Sequence, residues 1–151
     1  MVKYSTGLLE HLAVIGSMKA ALDGMQISIY SGVEPASANS ALPPPQDAQL
    51  LVVIDSDGLS GREPITWEAG VPGVLKKHSD ETWNGVVLKT GEASWFRIHA
   101  SSDDGSQSEA IFRVQGSVGA FGEDINLTSG VALEQGAPIT LNSLYITFLS
   151  F

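Results

Sequence analysis

Residues 93–100, which read Ala-Ser-Trp-Phe-Arg-Ile-His-Ala, give the clearest indication of the fold class. Side chains alternate between the two faces of a β-strand, so Trp95 and Arg97 fall on one face, and Phe96 and Ile98 on the other. A run that alternates in this way over eight residues predicts a β-strand rather than a helix.

Shorter candidate strands lie on both sides of this strand and are separated by turn residues; most are part apolar and part polar, and residues 49–54 form a continuous apolar run. They are residues 25–31, 49–54, 65–68, 74–77, 81–88, 110–116, 124–128 and 139–149. A spacing of roughly 8–12 residues between short strands is typical of an all-β sandwich or barrel. We predict a mainly β fold, an antiparallel, jelly-roll-like sandwich, in which the glycine-rich residues 116–122 form a bend between strands.

The N-terminal part has a different pattern, because apolar residues recur near helical spacing over residues 5–22. Ser5 or Thr6 is suited to cap the start of a helix, and residues 23–24, Asp-Gly, supply a stop. Gly-Ser at residues 16–17 predicts a kink or two short helices. We therefore expect a short helical segment ahead of the sheets.

Length and composition narrow the class of protein. A chain of 151 residues is expected to be one domain, here a helical segment at 1–24 and a β-sandwich at 25–151. The absence of cysteine excludes disulfide scaffolds, thiolate metal sites and cysteine catalysis. A formal charge of −9 argues against nucleic acid as a partner, and no apolar run has the roughly 18–20 residues that span a bilayer.

Motifs for catalysis or metal binding are not recognisable. His11, His78 and His99 lack the close spacing of a zinc site. Residues 55–58, Asp-Ser-Asp-Gly, open like a calcium loop but are not followed by its glycine and glutamate, and Ser60 is not in a nucleophile elbow. We predict that the chain is not an enzyme and needs no cofactor or metal.

Three motif pairs follow one another in an order that resembles a known group of proteins. They are GMQISIYSG (24–32) before PASANSAL (35–42), ETWNG (81–85) before GEASWFRI (91–98), and RVQGSVG (113–119) before DINL (124–127). The succession resembles small virion structural proteins of tailed bacteriophages, of the capsid decoration or cement kind. It extends over nearly the whole chain, from residue 4 to residue 151.

The resemblance implies a compact β-domain without a catalytic site, which binds the assembled shell and bridges neighbouring capsomers to stabilise it. The implied partners are the major capsid protein and further copies of the chain itself, as a homo-oligomer. The implied location is the capsid surface, after assembly in the host cytoplasm, which suits a chain without cysteine. An acidic module is also repelled by DNA, which fits the outer surface.

Three regions are candidates for contact with such partners without disturbing a sandwich. They are the N-terminal segment, residues 43–45 within a loop of residues 33–47 that we call the proline loop, and the C-terminus; the residues are Leu8, Leu9, Leu12, Ile15, Pro43, Pro44, Pro45 and Phe151. Consecutive prolines favour an extended backbone that loses little entropy on binding. For each residue, core packing or an ordinary loop is the competing interpretation.

Two other functions remain open on the sequence. The chain fits a tail or head-completion component of a virion, which would be present in few copies or in rings. It also fits a carbohydrate-binding β-sandwich, in which Trp67, Trp83 or Trp95 would be exposed to stack on sugars, although a tryptophan in an alternating strand is more often in the core.

Overall fold

A computed structural model describes residues 1–147 as a mainly antiparallel β-protein with two short N-terminal helices, as the sequence predicts. The helices are α1 (Thr6–Val14) and α2 (Met18–Leu22). The strands are β1 (Lys3–Tyr4), β2 (Gln26–Tyr30), β3 (Leu50–Ser56), β4 (Trp67–Ala69), β5 (Val74–Lys77), β6 (Trp83–Val86), β7 (Gly91–Glu92), β8 (Trp95–His99), β9 (Val114–Gly119), β10 (Ile125–Asn126), β11 (Ala132–Leu133), β12 (Pro138–Leu141) and β13 (Tyr145–Thr147). The finer arrangement, a jelly-roll-like sandwich, stays a prediction.

Most strands belong to one main sheet with the order β1-β9-β8-β2-β3-β6-β12, in which all neighbours are antiparallel. Strand β10 is added to β9 in parallel, a single departure from the antiparallel expectation among these pairs. A second sheet has the order β13-β5-β4, and β7 pairs with β11. The strand predicted at residues 93–100 is therefore β8, near the centre of the main sheet.

The helical segment has the break that the sequence predicts. Ser5 is the residue that caps α1, since its side chain accepts a hydrogen bond from the amide of Leu8, and Ser17 caps α2 in the same way. Between the helices the chain leaves helical geometry at residues 16–17. The Ser5 hydroxyl also accepts a bond from the Arg113 amide at 2.9 Å, so the same side chain fastens α1 to the sheet.

One hydrophobic core joins the helices to both sheets. Leu22 from α2, Ile27 and Ile98 from the main sheet, and Ile146 from the second sheet are all fully buried in it. Such aliphatic side chains each contribute about 1.5–3 kcal/mol when they are removed from water. The main sheet thus has one apolar face packed on this core.

The strand expected at residues 110–116 lies further along the chain. The Ser108 hydroxyl accepts bonds from the amides of two following residues, which turns the chain and delays the start of β9. The predicted bend at 116–122 is wrong in its first half, because β9 continues to residue 119. Gly116 is required for packing instead: a Cβ there would lie 2.5 Å from an Asp124 carboxylate oxygen.

The alternating segment at 139–149, of which residues 148 and 149 lie outside the described residues, is also not one strand up to residue 147. It divides into β12, on the edge of the main sheet, and β13, in the second sheet, with residues 142–144 between them. Each part keeps its own inward side chains, Leu141 in β12 and Ile146 in β13. The buried positions change from 139 and 141 to 144 and 146 across two exposed residues, Asn142 and Ser143, so the alternation is interrupted where the chain passes from one sheet to the other.

Candidate functional site

The face of the main sheet that points away from the core is buried and, apart from the stacked Tyr30 and Trp95, polar. Arg97 and His99 of β8 lie on this face, together with Ser28 of β2 and Gln115 of β9. Ser28, Arg97 and Gln115 form one row across three adjacent strands, because they are directly paired in the register. Polar side chains buried in this way need hydrogen-bond partners.

The proline loop covers this face and supplies the partners. The carbonyl oxygen of Pro35 accepts a bond from Gln115 Nε2 at 2.8 Å, and that of Ser40 accepts one from Arg97 Nη2 at 3.2 Å. The Ala38 carbonyl lies 3.4 Å from Arg113 Nη1. A loop outside the strand ladders has carbonyl groups that need donors when they are buried, and the long side chains of the sheet provide them. The loop is therefore held at several points along its length.

A buried ion pair strengthens this attachment. Arg113 Nε and Nη2 each lie 2.6 Å from an oxygen of Asp103, and both residues are almost wholly buried. Burial alone would raise the pKa of Asp103, but the bonds from Arg113 and from the Gly105 amide hold that pKa below its ordinary value. A two-pronged contact of this kind fixes orientation as well as charge.

Arg97 is buried without a carboxylate of its own. Its guanidinium donates to Gln115 Oε1 at 2.8 Å, and within residues 1–147 its Nη1 has no hydrogen-bond partner. Burial and the neighbouring Arg113 lower the pKa of Arg97 to about 10. Arg97, Arg113 and Asp103 together leave one positive charge beneath the loop.

Ser28 and His99 form the nearest approach to a catalytic pair. Ser28 Oγ lies 2.7 Å from His99 Nε2, and His99 Nδ1 lies 2.8 Å from the carbonyl oxygen of Ala100. Because that oxygen only accepts, Nδ1 carries the proton and Nε2 accepts from the serine, the order that activates a nucleophile. Ser28, however, is 2% exposed and His99 is 9% exposed. The pair lies out of reach of a substrate and serves to satisfy buried polar atoms.

An apolar cleft opens where the proline loop ends, and we call it the proline cleft. It has a volume of about 330 Å³ and is lined by Tyr30, Leu42, Pro43, Pro45, Ala48, Gln49, Leu50, Leu88 and Lys89. Tyr30 at its floor stacks on Trp95, with ring centroids 4.3 Å apart and planes 13° apart. Its size is at the lower end of the range for ligand and anchor pockets in proteins.

The entrance to the proline loop depends on one glycine. Gly32 has a φ of +83°, and a Cβ there would lie 2.0 Å from the carbonyl oxygen of Asp47 at the other end of the loop. The Pro44 carbonyl accepts bonds from the amides of Asp47 and Ala48, which turns the chain back to β3. The two ends of the loop are thus held close together, and the cleft has a fixed shape.

The candidate contact residues of the N-terminal segment separate into two groups. Leu8 is fully buried and Leu12 packs against the core, so neither is available to a partner. Leu9 is 51% exposed and Ile15 is 78% exposed. The helical spacing identified the apolar side chains but not which of them the sheet would cover.

The other candidate residues are distributed differently. Pro43 and Pro45 line the proline cleft, whereas Pro44 is exposed at the turn beside it. Phe151 lies outside the described residues.

Trp67, Trp83 and Trp95 are completely buried, so the aromatic surface expected of a sugar-binding module is not formed by tryptophan. Sequence reasoning missed the network of Arg97, Arg113 and Asp103. The one available signal was the presence of an arginine inside each of two predicted strands whose other residues are suited to burial.

Within residues 1–147, no three His, Asp or Glu side chains are grouped so as to hold a metal ion. The helices of the described chain are too short or too polar to cross a membrane. No protein-family model, curated protein or solved structure matches the chain.

Proposed function

We propose that this chain is a non-enzymatic structural binding module that docks on the surface of a larger assembly. The observation that carries the proposal is the proline cleft, an apolar concavity whose walls are fixed by the attached loop. Preorganised surfaces bind more tightly because less conformational entropy is lost on association. The partner, the major shell protein of a bacteriophage capsid, is taken from the sequence resemblance.

The chemistry of the cleft supports a protein partner. Leu88, at its rim, is 49% exposed, and Leu50 and the two prolines add further apolar surface. Lys89 is the one charged residue that lines the cleft, in a chain with a formal charge of −9. An apolar side chain inserted between these residues, with an acidic group near Lys89, satisfies both features. On a capsid, symmetry repeats a modest contact of this kind many times.

Copy number tests the location. Quantitative mass spectrometry of purified particles from the source counts this chain against the major shell protein. A decoration protein is expected at about one copy per one or a few shell subunits, because closed symmetry repeats one contact over the surface. A few copies per particle would instead indicate a tail or head-completion component, and complete absence would overturn the virion proposal.

A matched pair of variants tests the cleft itself. Leu88→Asp places a charge in the apolar wall. We expect this variant not to co-sediment with shells that have been prepared without the wild-type chain. Phe121→Asp is the control, since Phe121 is 86% exposed on a different loop. Both variants should keep the wild-type melting temperature. Equal binding by Leu88→Asp and wild type would exclude the cleft as the docking site.

A further inference from the structure

The outer face of the second sheet carries an arrangement that the proposed function does not use. Glu68, Lys76 and Tyr145 are directly paired across β4, β5 and β13, so their side chains form one row. We call it the tyrosine row. Leu75 and Ile146, which alternate with these residues, are buried in the core, so the row points away from it. Tyr145 is 61% exposed.

The tyrosine row lies between two clefts of different character. On one side, a cleft of about 300 Å³ is lined by the row and by Lys77, Ser79 and residues 142–144. On the other side, a groove of about 620 Å³ adds Val71, Val74 and Thr147. Lys76 and Tyr145 line both, so the two clefts form one continuous surface. Their volumes fall within or at the lower end of the range of small-ligand sites.

The polar groups of the row are held in place. Lys76 Nζ lies 2.8 Å from Glu68 Oε1, and the Ser79 hydroxyl donates to Glu68 Oε2 at 3.3 Å. The hydrogen bond from Lys76 keeps the pKa of Glu68 below its ordinary value, so the carboxylate is ionised at neutral pH. An ionised carboxylate has about four acceptor positions, and these bonds occupy two of them, so Glu68 can accept further hydrogen bonds. Asn142 and Ser143 add exposed donors and acceptors close by.

We infer that the tyrosine row and its two clefts form a binding site for a linear, neutral oligosaccharide. A pyranose ring has an apolar face of C–H groups and a rim of hydroxyl groups. Tyr145 offers an exposed aromatic surface for the apolar face. Glu68, Ser79 and Asn142 offer directional hydrogen bonds for the rim, and the continuous groove accommodates a chain rather than a single sugar.

Charge selects the class of saccharide. Glu68 and Lys76 neutralise one another within the row, and the Lys77 ammonium, also at the first cleft, donates to the carbonyl oxygens of His78 and Glu81. The chain as a whole carries −9. Acidic sugars are repelled by this overall field, and neutral sugars are not. The site is independent of the proline cleft, because the two share no lining residue. The inference therefore stands or falls separately from shell binding.

Saturation-transfer NMR and titration calorimetry on the intact chain test the inference, with cellotetraose and chitotetraose as neutral probes and tetragalacturonic acid as the acidic one. We expect binding of at least one neutral tetrasaccharide and weaker binding of the acidic one. Tyr145→Ala should reduce the affinity by about tenfold or more, because it removes the stacking surface. Tyr145→Phe, which keeps the ring, should retain most of it.

Phe121→Ala is the matched control, since it removes an exposed aromatic ring elsewhere and should leave binding unchanged. Thermal melting checks that the variants are folded, as expected for substitutions at exposed positions. The inference is overturned if neither neutral probe binds the wild type, or if Tyr145→Ala binds with wild-type affinity. Shell binding by wild type and Tyr145→Ala, measured alongside, shows which proposal has failed.

Discussion

The two faces of strand β8 are buried to the same extent by different means. Phe96 and Ile98 point into the hydrophobic core, where close packing is the only requirement. Arg97 and His99 point the other way: Arg97 donates to the Ser40 carbonyl of the proline loop, and His99 donates to the carbonyl of Ala100, the next residue in the chain. Both faces exclude water, but only on the second does the removal of a single partner leave a buried polar atom without a hydrogen bond.

The difference shows how an irregular loop is kept in one conformation. An apolar surface would be covered equally well by many loop conformations, because the hydrophobic effect is not directional. Hydrogen bonds from Arg97 and Gln115 to particular carbonyl groups form in only one loop conformation, because they depend on distance and angle. The polar face therefore defines the shape of the proline loop, and with it the proline cleft. The apolar face contributes most of the stability.

The largest effect is expected from Asp103→Ala. This variant leaves the Arg113 guanidinium buried without its carboxylate, and breaking a buried pair in this way costs about 3–5 kcal/mol. Urea denaturation followed by tryptophan fluorescence measures the free energy of unfolding. We also expect the proline loop to become accessible to proteases, because its anchoring arginine is no longer held.

Two variants calibrate that loss. Ile98→Val, on the apolar face of the same strand, should cost about 0.5–1.5 kcal/mol, the usual range for one buried methyl group. Glu68→Gln breaks the half-exposed pair with Lys76 and should cost clearly less than Asp103→Ala, because solvent-exposed ion pairs contribute little to stability. If Asp103→Ala is no more destabilising than Glu68→Gln, the polar face does not hold the loop.

A smaller loss is expected from Arg97→Met. The substitution leaves Gln115 Oε1 and the Ser40 carbonyl without a donor, which costs about 1–3 kcal/mol. It also removes a buried charge that has no carboxylate partner, which offsets part of the loss. Arg113→Met, which strands Asp103, should be clearly worse under the same denaturation assay. Equal losses would mean that the two arginines contribute equally to stability, which contradicts the structure, in which Arg113 pairs with Asp103 and Arg97 has no carboxylate of its own.

The sequence was sufficient for features that depend on local pattern. The centres of β2 and β8 follow from apolar alternation, and the centre of β3 follows from a continuous apolar run. Strand β5 follows from its place after a turn, and the break between the helices follows from residues 16–17. The parallel pairing of β10 and the division of residues 138–147 between two sheets depend on long-range packing. No periodicity within a short segment encodes which neighbour a strand will choose.

The candidate site was predictable only in part, for a related reason. Three consecutive prolines indicated a loop of restricted conformation, and two of them do line the proline cleft. The opposite wall comes from Leu88, far along the chain, which became part of the site through the pairing of β3 with β6. The tyrosine row likewise needed the register of three strands, since Glu68, Lys76 and Tyr145 have no common spacing in the sequence.

The smallest effect is expected from His99 and appears as a pH dependence. Burial lowers the pKa of His99 below its ordinary value of 6.5, with the Ala100 carbonyl opposing the shift. The unfolded chain therefore binds a proton near pH 6.5, whereas the folded chain binds it only at lower pH. Stability is complete above the unfolded pKa and falls as the pH decreases towards the folded pKa.

His99→Asn should flatten the fall in unfolding free energy between pH 7 and pH 5, because asparagine still donates to the Ala100 carbonyl but does not titrate. Asp103 also has a lowered pKa, but from an ordinary value of 3.8, so its loss occurs at lower pH and is separable. An unchanged slope in His99→Asn would show that the polar face tolerates a protonated histidine.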